Sequence, residues 1–192
     1  MVIWGLHYPY RAWIAVVFLG LISPSATSLA DPSLPPTEYS IKAAYLYNFS
    51  KFIEWPSSEM GTAPFCVGIL GEDPFGKNLE AVFNGKTVQD KPIVIRHINT
   101  VAEAARCQIV FISSSEDERL DRLLNDLSET PVLTVGETSR FFQQGGMVGF
   151  QVIRHNVRFN INLRAAEEAK LKISSQLLKV ANSVHGAPKI AQ

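Results

Sequence analysis

Asn156, Arg158, Asn160 and Asn162 alternate with Val157, Phe159, Ile161 and Leu163. A period of two marks a strand with one polar and one apolar face. The polar face offers amide donors and acceptors and one permanent cation, but no nucleophile. Such a face binds or packs; it does not make or break bonds. The other polar residues add no reactive set. His7, His97, His155 and His185 are far apart, and none has a second ligand at metal-binding spacing. Ser113-Ser114-Ser115 lacks the glycines of a nucleophile elbow. Glu72 and Asp73 have no third group nearby in sequence to complete an acid–base site. The expectation is a protein that is not an enzyme, with no catalytic residues, no metal and no cofactor.

The elements that must carry these residues read as follows. Residues 38–54 form a helix, with Ile41, Tyr45, Phe49, Phe52 and Ile53 on one face. Trp55-Pro56 stops it. That aromatic face is either core or an apolar surface shared with a partner or a second copy. Residues 65–70 form a buried strand ending in Gly71-Glu72-Asp73-Pro74-Phe75-Gly76. A glycine-rich turn at the carboxyl end of a strand is where open α/β sheets place ligands. Its spacing is neither a dinucleotide fingerprint nor a P-loop. The structural alternative is Asp73 as N-cap and Pro74 in the first turn of a helix running to residue 83. Further strands are expected at 92–98, 108–112 and 131–135, with short helices at 101–105 and 138–143. Ser115 and Glu118 have the spacing of a capping box. Leu120, Leu123, Leu124 and Leu127 then trace one helical stripe. Strands 147–153 and 157–163 pair as a hairpin around Arg154-His155-Asn156. The segment 164–182 is helical in part, extended near 170–173, with Ser174 or Ser175 capping a last helix. The fold class is α/β: a mostly parallel sheet with helices on both faces, plus a late antiparallel hairpin.

The first thirty residues read as an address. Arg11 precedes an apolar run from Ala12 to Ile22, followed by Ser28-Leu29-Ala30. This is the layout of a secretory signal peptide cleaved before Asp31. The alternative, an uncut anchor, meets a run of about 11 residues where a bilayer span needs roughly 20. The domain plan is a signal peptide at 1–30, a proline-rich lead-in at 31–38, one domain at 39–182 and a tail at 183–192. Removing the signal leaves 17 Lys+Arg and 18 Asp+Glu, a net of −1. A near-neutral chain of this kind is not expected to bind nucleic acid. The mature chain is expected outside the cytoplasm. Cys66 and Cys107 each stand at the start of an apolar run. In an oxidising compartment they suggest one disulfide, the alternative being two buried free thiols.

Five segments carry a resemblance. They are residues 40–56, SIKAAYLYNFSKFIEWP; Ile69-Leu70-Gly71 with Asp73-Pro74-Phe75-Gly76; and residues 145–150, 157–163 and 171–175 in the same order. Over about residues 39–181 the chain resembles the YfiR family of periplasmic proteins. The best-known member represses a membrane-bound diguanylate cyclase from the periplasmic side and forms dimers. The resemblance implies an α/β fold, a homodimer and a partner that is an inner-membrane signalling protein, a diguanylate cyclase or a sensor kinase. It implies that Cys66 and Cys107 match that member's first disulfide. The second would fall near residues 141–150, where this chain has no cysteine, so control through that bridge does not carry over. Candidate contact residues are Tyr45, Phe49 and Phe52, with Arg158, Asn160 and Asn162, since aromatics and arginine most often dominate interfaces. A second possibility is a small-molecule sensory module, with Asp73 and Phe75 in the pocket and Arg158 or Lys172 holding an anion.

Overall fold

The computed structural model describes residues 37–56 and 62–186. The expected signal peptide, its cleavage point before Asp31, most of the lead-in and the end of the tail lie outside the described residues. Among the described residues no helix is long and apolar enough to cross a membrane.

Helix α1 (Glu38–Phe52) starts at Thr37, whose side chain accepts from the Ser40 N–H. It ends earlier than the sequence suggests. Ile53 is already extended, and β1 (Ile53–Glu54) pairs antiparallel with β9 (Lys172–Ile173). That pairing buries Ile53 and gives its backbone sheet partners in place of helical ones.

The main sheet is built from β2 (Phe65–Leu70), β3 (Thr87–Val88), β4 (Lys91–Ile98), β5 (Ile109–Ile112), β6 (Leu133–Gly136), β7 (Val148–Ile153), β8 (Asn156–Asn162) and β10 (Ser183–His185). Its order is β10-β8-β7-β6-β5-β2-β4-β3. The run from β4 through β2, β5 and β6 to β7 is parallel. β7 and β8 form the expected antiparallel hairpin. Its turn is two residues, not three: Arg154 and His155 both take positive φ (49° and 64°), and Asn156 is already strand.

Helices cover both faces, as the sequence implies. On one side α1, α2 (Asn78–Phe83) and α7 (Ser175–Val180) pack over Val67, Ile69, Phe111, Phe150 and Phe159. On the other, α3 (Val101–Ala104) and α4 (Leu120–Leu127) pack over Leu70, Val110 and Ile112, with Phe141 of α5 (Ser139–Gln143) beside them. The four α4 leucines are all buried, each worth about 1.5–3 kcal/mol of burial. Cys66 and Cys107 are joined and buried in this second core.

Four local readings are corrected. Asp73 is not a helix N-cap, because Gly76 sits at φ 54° and delays α2 to Asn78. Asp73 instead closes a tight turn by accepting from the Phe75 N–H at 2.8 Å. Ser115 and Glu118 form no capping box. Residues Ser114–Arg119 make a 3-10 turn capped by Ser113, and Ser115 Oγ accepts the Glu72 N–H at 2.9 Å. Leu163 opens α6 (Leu163–Glu168) and does not close β8. The segment read as tail supplies β10, parallel to β8 with Val184 opposite Ile161.

Candidate docking surface

The chain enters the sheet at β2, moves out to β4 and returns across β2 to β5. Such reversals leave a crevice at the carboxyl ends of the strands, the usual ligand position in open α/β sheets. Here the chain fills it. A Cβ on Gly71, itself at φ 89°, would lie 2.4 Å from Ser115 Oγ and 2.8 Å from Glu116 Cγ. Glu116 is buried and held by Arg119. Asp73 keeps His97 Nε2 at 3.8 Å, while Phe75 is only 1% exposed and packs edge-on to Tyr39 and Phe111. Packing, not a pocket, is what the turn after β2 provides.

Beside it lies an ionic cluster that sequence reasoning missed. Lys42 is buried within α1 and bonded to Glu38 one turn earlier and to Glu137 just after β6, at 2.5 Å from the latter. The Tyr39 hydroxyl donates to Glu137 at 3.3 Å, and the Lys42 ammonium lies 4.5 Å from the Tyr39 ring centre. Burial pulls the Lys42 pKa down, but the hydrogen bonds to Glu137 and Glu38 outweigh it and hold the group above its ordinary value. Burial, aided by the Glu137 charge, raises the Tyr39 phenol. The Glu38–Lys42 spacing of four was the available signal. The cluster pins α1 to the carboxyl end of β6.

The polar strand residues separate. Asn160 is buried, accepting from Asn182 Nδ2 at 2.9 Å. Asn162 caps α6 by accepting from the Ala165 N–H at 3.2 Å. Both amides therefore serve the fold. Arg158 is exposed, paired across the hairpin with Gln151. The aromatic face of α1 separates too. Phe49 is fully buried against Phe150 and Phe159. Tyr45 and Phe52 reach the surface, where with Asn48, Gln176, Leu177 and Val180 they line a groove of about 240 Å³ between α1 and α7. Val180 is 63% exposed. Lys172 is exposed on β9, next to the end of α1, where Ser174 N–H donates to Phe52 O. The apolar face continues along the hairpin: Phe150 packs on Tyr45, and Val152, on the same side of β7, is 52% exposed. Exposed apolar residues around an aromatic groove suit a protein surface better than a reaction centre. Among the described residues no group of acidic, histidine or cysteine side chains could hold a metal.

No curated protein matches the chain. A solved structure, the ABC domain in complex with L-Trp from Streptococcus pneumonia, is 11% identical over 62% of this chain and 55% of that chain, with a TM-score of 0.47. The conserved domain protein from Vibrio cholerae O1 biovar eltor str. N16961 is 9% identical over 77% of this chain and 60% of that chain, with a TM-score of 0.52. The chain thus spans little more than half the length of either, and the second likeness is one of fold alone. The YfiR/HmsC-like family matches residues 39–182, which include α1, the groove and the whole sheet up to β8. The chain belongs to the YfiR/HmsC-like family, whose members are known as regulators of diguanylate cyclase signalling.

Proposed function

We propose that this protein is an exported regulator that docks reversibly on the periplasmic part of an inner-membrane signalling protein, such as a diguanylate cyclase, and modulates it. The family match across the whole domain carries this reading. The groove between α1 and α7 supports it, because Tyr45, Phe52 and Val180 are apolar anchors open to a partner. Val152 extends the surface along the hairpin, and Lys172 extends it past the end of α1, while Arg158, opposite Gln151, lies on the other face of the sheet. The protein works as a homodimer in this reading, with the partner taking the place of a substrate.

The test is gentle crosslinking in cells, followed by purification and identification of the crosslinked membrane protein. The expected result is one membrane signalling protein retained by the wild type and lost by the surface variants Val180→Glu and Val152→Glu. Retention of no such protein, or equal retention by the variants, would sink the proposal. The mass of the purified chain should correspond to a first residue at Asp31; an intact leader would contradict the export step.

A further inference from the structure

The sheet has an open edge at β4. β3 covers only Lys91 and Pro92 of it. Among the described residues no strand lies beyond Ile93 to Ile98 on that side. The direction of the backbone there follows from β2. The Gln108 N–H donates to Cys66 O at 3.0 Å, and the Cys66 N–H donates to Gln108 Oε1 at 2.7 Å. Cys66 therefore turns both backbone groups toward β5. Successive residues of a strand alternate, so Val67 and Ile69 turn theirs toward β4. Val67 lies opposite Ile95, and in a parallel pair it bonds to the neighbours of that residue, Val94 and Arg96. The N–H and C=O groups of Ile95 and His97 consequently point off the edge, whereas Ile93 is turned toward Lys86 by the Thr87–Pro92 pairing. A row of unpaired backbone groups is a template for another strand.

The two sides of this edge differ in chemistry. Toward α1, Ile93 and Ile95 with Phe83, Ala81 and Pro92 line an apolar cavity of about 560 Å³. Toward α3, Arg96 and Arg106 flank a cleft of about 340 Å³. Both arginines are exposed, and among the described residues neither has a carboxylate within 4.0 Å. Glu103 lines the same cleft but is bonded to the Asn99 and Thr100 N–H groups in its capping box.

We propose that the β4 edge accepts an extended strand of another polypeptide, with apolar side chains toward Ile93 and Ile95 alternating with carboxylates toward Arg96 and Arg106. Backbone bonds supply affinity and the two cavities supply specificity. This site is separate from the groove between α1 and α7 and does not depend on it. A second copy of the chain is the poorer occupant. Pairing β4 with itself would bring two Arg96 side chains onto one face of adjoining strands, which is repulsive. The simplest rival is that the arginines only guard the edge against aggregation, and in that case no strand binds.

The test is fluorescence anisotropy of a labelled peptide of alternating valine and glutamate titrated with the mature chain, against the same peptide with lysine for glutamate. The glutamate peptide should saturate and bind more than about tenfold tighter than the lysine peptide. Arg96→Glu with Arg106→Glu should reverse that preference. His97→Pro removes one outward N–H and no bond to β2, so it should keep the melting temperature while weakening the peptide by about tenfold. Absence of saturation, equal binding of both peptides, or unchanged affinity in the arginine variant would overturn the proposal. So would light scattering showing a dimer that the peptide dissociates, since a second copy would then fill the edge.

Discussion

Replacing Lys42 by Met should be among the most damaging single changes to this chain, although it puts an apolar side chain of similar length into a buried site. The Lys42 side chain is 3% exposed, and its partners Glu137 and Glu38 are 14% and 44% exposed. Glu38 can turn to water and loses little. Glu137 cannot: without the ammonium, its largely enclosed carboxylate keeps only the Tyr39 hydroxyl at 3.3 Å. Removing one partner of a buried pair costs about 3–5 kcal/mol. The partial exposure of Glu137 places the loss near the lower end, about 3 kcal/mol, or roughly 6–12 °C in melting temperature for a domain of this size. The double change Lys42→Met with Glu137→Gln removes both charges and should lie within about 1 kcal/mol of wild type. Urea unfolding followed by tryptophan fluorescence can read this. Trp55 is the only tryptophan after the expected cleavage point, and it is buried with its indole N–H on Gln108 O. A single variant that loses less than about 1 kcal/mol, or a double variant as unstable as the single, would refute the reasoning.

Three further outcomes are expected. Stability should fall as pH rises above about 10, because Lys42 and Tyr39 hold their protons more tightly folded than unfolded; thermal melts should show a steeper alkaline loss in the wild type than in the double variant. Changing Cys66 and Cys107 together to Ala should cost about 4 kcal/mol by the entropy of the loop they close, and thiol titration of the denatured, unreduced wild type should find none. Gly136→Ala should destabilise by about 1–3 kcal/mol, since its methyl would fall 2.4 Å from the Phe141 ring; Phe141→Leu should recover part of that in calorimetry.

Local pattern revealed what local forces decide. The leucine stripe of α4, the unbroken apolar runs of β2 and β5 and the hairpin were legible because each element's own spacing states which face is buried. The ending of α1 was not, because Ile53 leaves the helix to pair with Ile173, far along the chain. β10 escaped notice for the same reason: three residues carry no periodicity, and only their register against β8 makes them a strand. At the candidate surface, the spacing of Tyr45, Phe49 and Phe52 showed a shared aromatic face but not its depth. Packing against Phe150 and Phe159 decides that Phe49 is core while Tyr45 stays partly open. Asn160 and Asn162 looked alike on the strand, yet one meets Asn182 and the other starts a helix. The Lys42–Glu137 bond joins residues 95 positions apart, which no window of sequence displays.

The sulfur bridge has a bearing on when this molecule can sense its chemical surroundings. Cys66 and Cys107 are 4% and 2% exposed, walled in by Ile98, Val110 and Ala104. A thiol reagent reaches them only while the walls are absent, during assembly or after collapse. The linkage is thus written once, as the nascent chain takes shape, and the finished protein neither gains nor loses it as the medium fluctuates. Any cysteine-based response to oxidants must therefore arise elsewhere, in a partner or in the machinery that inserts the bridge.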